Sequence, residues 1–229
     1  MTATRTETVD LDDRGQLRLT IAEPDSTVRG GIVVLHEARG VTDTVRSMTS
    51  RLAFEGWLAV APHLYHRDGL DEVEGEQVAD QLKRLTVESV LADSDAACGW
   101  LSERGVTADR IGVLGFDLGG VVAIKIGTRR KVGAAVSVSA PGILNPVAHQ
   151  LRPLLETAPE LTCPWLGIFG GDETVPAEEV EKLRDAAASA AVATDIVRYP
   201  DATHRFDTDR ASAMNAWQRT LNWFDSHLR

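Results

Sequence analysis

Residues 110–120 read RIGVLGFDLGG. The apolar run RIGVLG (110–115) fits a buried strand, and from Asp117 to about Arg130 the pattern turns helical. Glycines 115, 119 and 120 flank the junction, where a tight turn and a close approach of helix to strand leave no room for side chains. The stretch has the form G-x-X-x-G-G of a strand–turn–helix nucleophile elbow, with Asp117 where Ser or Cys is usual.

Working outward, QLRLTIA (16–22) alternates like a half-buried strand, and GIVVLH (31–36) is a continuous apolar run between glycines. WLAVA (57–61), VGAAVSVSA (132–140), PWLGIFG (164–170) and TDIVRY (194–199) read as further strands. Helical spacing is predicted from about Glu76 to Glu103, closed by Gly105, and again over 177–191 and 208–228. Strands alternating with helices predict an α/β fold: a mainly parallel sheet with helices on both faces and chemistry at the C-terminal strand ends.

The chain has 229 residues, 43% hydrophobic and 25% charged, which suits a single globular domain over 1–229. Lys and Arg number 24 against 34 Asp and Glu, a formal charge of −10. That acidity, with no basic stripe, argues against a nucleic-acid partner. Two cysteines, Cys98 and Cys163, cannot build a disulfide framework and read as core fillers. A reducing cytoplasm is the expected location. MTATRTETVD lacks the apolar region of a secretory signal, and no apolar run approaches the ~20 residues of a membrane span. A monomer or homodimer acting on a small molecule is expected, without metal or cofactor.

Four strand ends carry chemistry-bearing residues: His36-Glu37-Ala38-Arg39-Gly40, the Asp117 turn, Gly170-Gly171-Asp172-Glu173-Thr174-Val175-Pro176, and Ala202-Thr203-His204-Arg205-Phe206. The chain order Asp117, Asp172, His204 matches the nucleophile–acid–base order of α/β-hydrolases.

With these residues in place, the sequence resembles the dienelactone hydrolase family from about residue 15 to the C-terminus. VVLHEARGV, RLAFEGWLAVAPHLYHRDG, RIGVLGFDLGG, FGGDETVP and RYPDATHRF carry the resemblance. It implies an α/β-hydrolase fold without a large cap, and hydrolysis of a small ester or lactone-like substrate. It places Glu37 as the pocket glutamate, Asp117 at the cysteine nucleophile's position and His204 as the proton carrier. Asp172 becomes the acid supporting His204, with Glu173 the fallback because the loop is one residue short. The N–H groups of Ala38 and Leu118 would form the oxyanion hole.

The aspartate changes the chemistry. After attack on an alkyl ester, a carboxylate is a better leaving group than the alkoxide, so the reaction reverses unless the leaving group is activated. At an sp³ carbon a carboxylate displaces halide or opens an epoxide, as in dehalogenases and epoxide hydrolases. Those relatives carry a helical cap, and residues 141–162 are too few for one. A third reading pairs Asp117 with Glu37 as acid and base, suited to a cyclase or isomerase. A fourth is a catalytically inert binding protein.

Each candidate also has a plainer reading. Asp is among the best helix N-caps, so Asp117 could simply cap its helix. Asp172 could be a turn aspartate, and Glu37 could form an ion pair with Arg39. Tyr65 and Arg67, just beyond a strand end, are expected near the substrate. His63 and His66 have a metal-like spacing but no third ligand, and are expected to line the pocket or surface.

Overall fold

The computed structural model describes residues 2–11, 15–148, 151–171, 174–206 and 208–229. Among them eight strands form one sheet: β1 (Arg5–Asp10), β2 (Gln16–Ala22), β3 (Gly31–Leu35), β4 (Leu58–Pro62), β5 (Ile111–Phe116), β6 (Ala134–Val138), β7 (Trp165–Gly170) and β8 (Thr194–Tyr199). Their order is β1-β2-β4-β3-β5-β6-β7-β8. β1 and β2 are antiparallel to their neighbours, and β3 through β8 run parallel. The helices are α1 (Asp43–Phe54), α2 (Glu76–Arg84), α3 (Val87–Glu103), α4 (Leu118–Arg129), α5 (Leu154–Thr157), α6 (Ala177–Ala187) and α7 (Arg210–His227).

Every residue of β3 and β4 is buried, as continuous apolar strands must be when helices cover both faces of a sheet. Alternation along β3 feeds two cores. Val33 and Leu35 pack with residues of α3 and α4, whereas Ile32 and Val34 pack with residues of α1 and α7. From β3 the chain moves to one side to make β4, then returns across β3 to make β5. That reversal opens a crevice at the C-terminal ends of β3 and β5, the place where open α/β sheets bind ligands. Leu35 lies in register with Gly115, so the segments following both strands meet there.

Three elements depart from the sequence reading. The predicted helix over 76–103 breaks into α2 and α3, because Leu85 is extended and Thr86 starts a new helix with a capping box: its side chain accepts from Ser89 N at 3.0 Å, and its own N–H donates to Ser89 Oγ at 3.1 Å. β1, unanticipated, is an edge strand with no fully buried residue and so carries no apolar face to read. α1 was also silent, since Thr44, Ser47, Thr49 and Ser50 weaken its helical signature. Between β6 and β7 the described residues hold only four-residue α5 and a 3-10 turn at Ala158–Glu160, with no helical cap.

Candidate active site

Asp117 sits at the tip of the β5–α4 turn with φ 50° and ψ −116°. A non-glycine residue in this region is strained, and such residues persist where the surroundings hold them. Here the packing leaves no alternative. A Cβ on Gly115 would lie 1.9 Å from the Gly119 carbonyl oxygen, and one on Gly119 would lie 2.2 Å from the Leu35 carbonyl oxygen. Asp117 N–H donates to the Val138 carbonyl at 2.9 Å, fixing the turn against β6. Asp117 occupies the N-cap position of α4, yet its side chain makes no capping hydrogen bond. Capping residues ordinarily adopt extended backbone and bond to the first turn. Asp117 does neither, which disfavours the capping reading.

Its carboxylate turns instead toward the loop after β8. His204 Nε2 lies 3.3 Å from Asp117 Oδ1. The histidine's backbone is held from β6: Ser139 Oγ donates to the His204 carbonyl at 2.6 Å. Ser139 itself has φ 52°, and its N–H donates to Ile168 O at 2.7 Å. Phe206, at φ 56°, packs edge-to-face on Tyr199 with ring centroids 5.5 Å apart. Ser139 was missed from sequence because it falls inside the expected strand 132–140; β6 ends at Val138, and the left-handed Ser139 leaves the sheet there.

Glu37, following β3, faces the same space. Its Oε1 accepts from Arg39 Nε at 3.0 Å and Nη2 at 2.5 Å, and Arg205 Nη2 lies 3.2 Å from Oε2. Glu37 thus makes the ion pair with Arg39 and also lies in the cavity wall. Glu37 has an arginine at each oxygen, and no hydrogen bond joins it to Asp117 among the described residues. The proton-sharing pair needed for the acid/base reading thus lacks its contact.

Beneath this arm the backbone is pinned. His36 is fully buried, with Nδ1 2.6 Å from the Glu37 carbonyl and Nε2 accepting from Leu64 N–H at 3.2 Å. These partners place its proton on Nδ1, and burial lowers its pKa to about 4. Tyr65 is also buried, and its hydroxyl donates to the Ala38 carbonyl at 2.8 Å. Burial first, then the negative charges of Asp117 and Glu37, raise its pKa and keep it protonated. The N–H groups of Ala38 and Leu118 show no hydrogen-bond acceptor among the described residues.

A cavity of about 480 Å³ opens over Asp117, His204, Glu37, Arg39 and Arg205, and runs between α1 and α7. Its walls include the apolar side chains of Met48, Phe116 and Trp217, each half-buried.

Other expected residues lie elsewhere. Tyr65 is absent from the described cavity walls and braces Ala38 instead of facing substrate. Arg67 points to α3, where it forms a two-pronged pair with buried Asp93 at 2.8 and 2.9 Å. The short turn at His66–Asp68 carries it there, a reversal that strand-end logic does not foresee. His66 Nε2 lies 3.1 Å from Asp93, while His63 bridges Asp71 and Thr20 at 2.5 and 2.8 Å, so neither lines the cavity. No group of metal-ligating side chains forms among the described residues. Asp172 and Glu173, the expected supporting acids, lie outside the described residues. Cys163 is buried and Cys98 half-buried, and burial pushes both thiols up to about 12.

The model of the dienelactone hydrolase family matches residues 17–228. The chain belongs to this family. A Salmonella typhimurium protein named "Putative carboxymethylenebutenolidase" is 35% identical over 205 residues, covering 84% of this chain and 76% of that one. The carboxymethylenebutenolidase of Rhodococcus opacus is 32% identical over 225 residues, covering 90% and 85%. The crystal structure of a "Putative Dienelactone Hydrolase" from Klebsiella pneumoniae superposes with a TM-score of 0.85 at 28% identity, covering 98% of this chain and all of that one. Family membership makes the protein a hydrolase of the dienelactone hydrolase type, with a small-molecule substrate, on an α/β-hydrolase fold. No helix among the described residues is long and apolar enough to cross a membrane.

Proposed function

We propose that the protein hydrolyses a small ester or lactone-like substrate held with its carbonyl carbon over Asp117. The observation that carries this is the Asp117 carboxylate, presented on a strained turn and facing His204 Nε2 at 3.3 Å. An imidazole beside a carboxylate is a competent general base. His204 takes a proton from water, and the water oxygen bonds to the substrate carbonyl carbon. The N–H groups of Ala38 and Leu118 receive the oxyanion, which collapses as the C–O bond to the leaving group breaks. His204 returns the proton to the departing oxygen. Asp117 faces the Nε2 that carries the proton in between, and its carboxylate accepts that N–H and steadies the imidazolium. The names of the relatives support a lactone among the substrates, and the Asp117–His204 pair supports water as the attacking group.

The test is turnover of activated esters and lactones by wild type, Asp117→Asn and Asp117→Cys, with one single turnover in ¹⁸O-water. Wild type should be active and Asp117→Asn should lose about 10²-fold or more. The label should enter the product carboxylate and not the peptide containing Asp117. Label in that peptide would mean that Asp117 itself attacked carbon. An inert wild type beside an active Asp117→Cys would overturn ester hydrolysis as the function.

A further inference from the structure

The apolar side chains that line the cavity are not needed to hold a bare ester group. α1 and α7 both begin at the catalytic end and run away from it, since each follows a loop that carries site residues. α1 offers Val45, Met48 and Arg51 to the cavity, and α7 offers Ala213, Ala216, Trp217 and Thr220. These positions recur at three- and four-residue steps, so each set forms one helix face. Leu114 and Phe116, two residues apart on β5, make a floor that descends away from Asp117. The charged side chains Asp117, Glu37, Arg39 and Arg205, together with His204, gather at the mouth. Thr220 directs its hydroxyl to the Ala216 carbonyl at 2.9 Å, leaving its methyl for the slot. At the end far from Asp117, where Arg51 is exposed and Trp217 half-buried, the Arg51 guanidinium stacks over the Trp217 ring, 4.4 Å from its centroid, and covers the slot from solvent. From Thr44 to Arg51 the helix rises about 10 Å.

We propose that this slot between α1 and α7 seats an apolar aryl or straight alkyl arm of the substrate, and that the Arg51–Trp217 stack is the stop that sets the arm's length. The proposal rests on the hydrolase reading and names its substrate class: esters or lactones bearing an apolar arm about as long as a hexanoyl chain. Continuity of the slot with Asp117 and His204 makes substrate the occupant. An arm entering from the carbonyl carbon meets Phe116 first, then Met48 and Leu114, and ends against the stacked pair.

The experiment is a chain-length series of p-nitrophenyl acetate, hexanoate and decanoate, with phenylbutyrate binding followed by tryptophan fluorescence. Wild type should prefer hexanoate to acetate in kcat/KM by at least tenfold and should lose that gain with decanoate. Met48→Trp, which fills the slot, should lower the hexanoate-to-acetate ratio at least tenfold. Trp217→Ala, which removes the stop, should raise the decanoate-to-hexanoate ratio at least fivefold. A variant that merely misfolds loses all esters together and leaves the ratios unchanged. Phenylbutyrate binding that Met48→Trp abolishes, without turnover of any ester, would sustain the slot while refuting hydrolysis. Turnover with a flat chain-length profile in all three proteins would overturn the slot and leave hydrolysis standing.

Discussion

Ser139, one residue beyond β6, donates its hydroxyl to the main-chain carbonyl of His204 at 2.6 Å. This bond spans the mouth of the cavity and ties the histidine loop to the sheet that also carries Asp117. Ser139→Ala removes the donor from a buried site. It should cost about 1 kcal/mol, or roughly 2–4 °C in Tm for a chain of this size. Because a small misplacement of a catalytic group is expensive, kcat should fall about tenfold with KM little changed. Steady-state kinetics beside thermal melts read both effects. Unaltered kcat with a lowered Tm would reduce Ser139 to a structural bond.

Asp117 holds its φ of 50° against the ordinary preference of a side chain. Glycine adopts this region without steric cost. Asp117→Gly should therefore raise stability by about 1 kcal/mol while abolishing turnover. Asp117→Ala, equally inactive, should show no such gain. Denaturant unfolding of the three proteins decides the matter, and a Gly variant no more stable than wild type would mean that the turn is not strained.

The elbow was legible because its signal is local. Gly115, Gly119 and Gly120 fall within six residues, so their spacing announces the turn, although only Gly115 answers to a near neighbour, the Gly119 carbonyl; a Cβ on Gly119 would meet the Leu35 carbonyl and one on Gly120 would meet Ala140. Glu37 was legible because it follows the continuous apolar run of β3, and His204 because it follows the last strand in the chain order of the motif, although β8 buries only Ile196. What the sequence hid is built from distant partners. The Ser139–His204 bond joins residues 65 apart, and the Arg51–Trp217 stack joins two helices near opposite ends of the chain. Arg67 was misread because its partner Asp93 looks like one more polar residue in a helix, whereas it is fully buried.

That burial makes a prediction about Arg67. Replacing Arg67 by Leu leaves the Asp93 carboxylate with His66 alone. Breaking a buried pair costs about 3–5 kcal/mol, and since the Arg67 side chain is 36% exposed, about 2–3 kcal/mol is expected. Arg67→Leu/Asp93→Leu should recover part of the loss, because an apolar pair leaves no buried charge. KM should be unaffected throughout. A raised KM with undiminished stability would instead make Arg67 a substrate contact.

The pH dependence of stability follows from His36. Its pKa drops from an ordinary 6.5 to about 4, chiefly through burial; the Glu37 carbonyl and Asp93 pull the other way, and His63 adds to the fall. The unfolded chain therefore binds a proton between pH 6.5 and about 4 that the folded chain refuses. Stability from this group is complete above pH 6.5 and is lost as pH falls toward 4. Between pH 7 and 5 the loss should be about 2 kcal/mol. Burial lowers the pKa of His63 as well, so the acid sensitivity of the whole protein has more than one source. His36→Gln isolates the term, since its amide can still donate to Glu37 O and cannot be protonated. Urea unfolding at pH 7 and pH 5 should show a shallower pH dependence for His36→Gln by that same amount. Equal dependence in the two proteins would mean that His36 takes up its proton in the folded state, and that the β3 arm beneath Glu37 tolerates a charge.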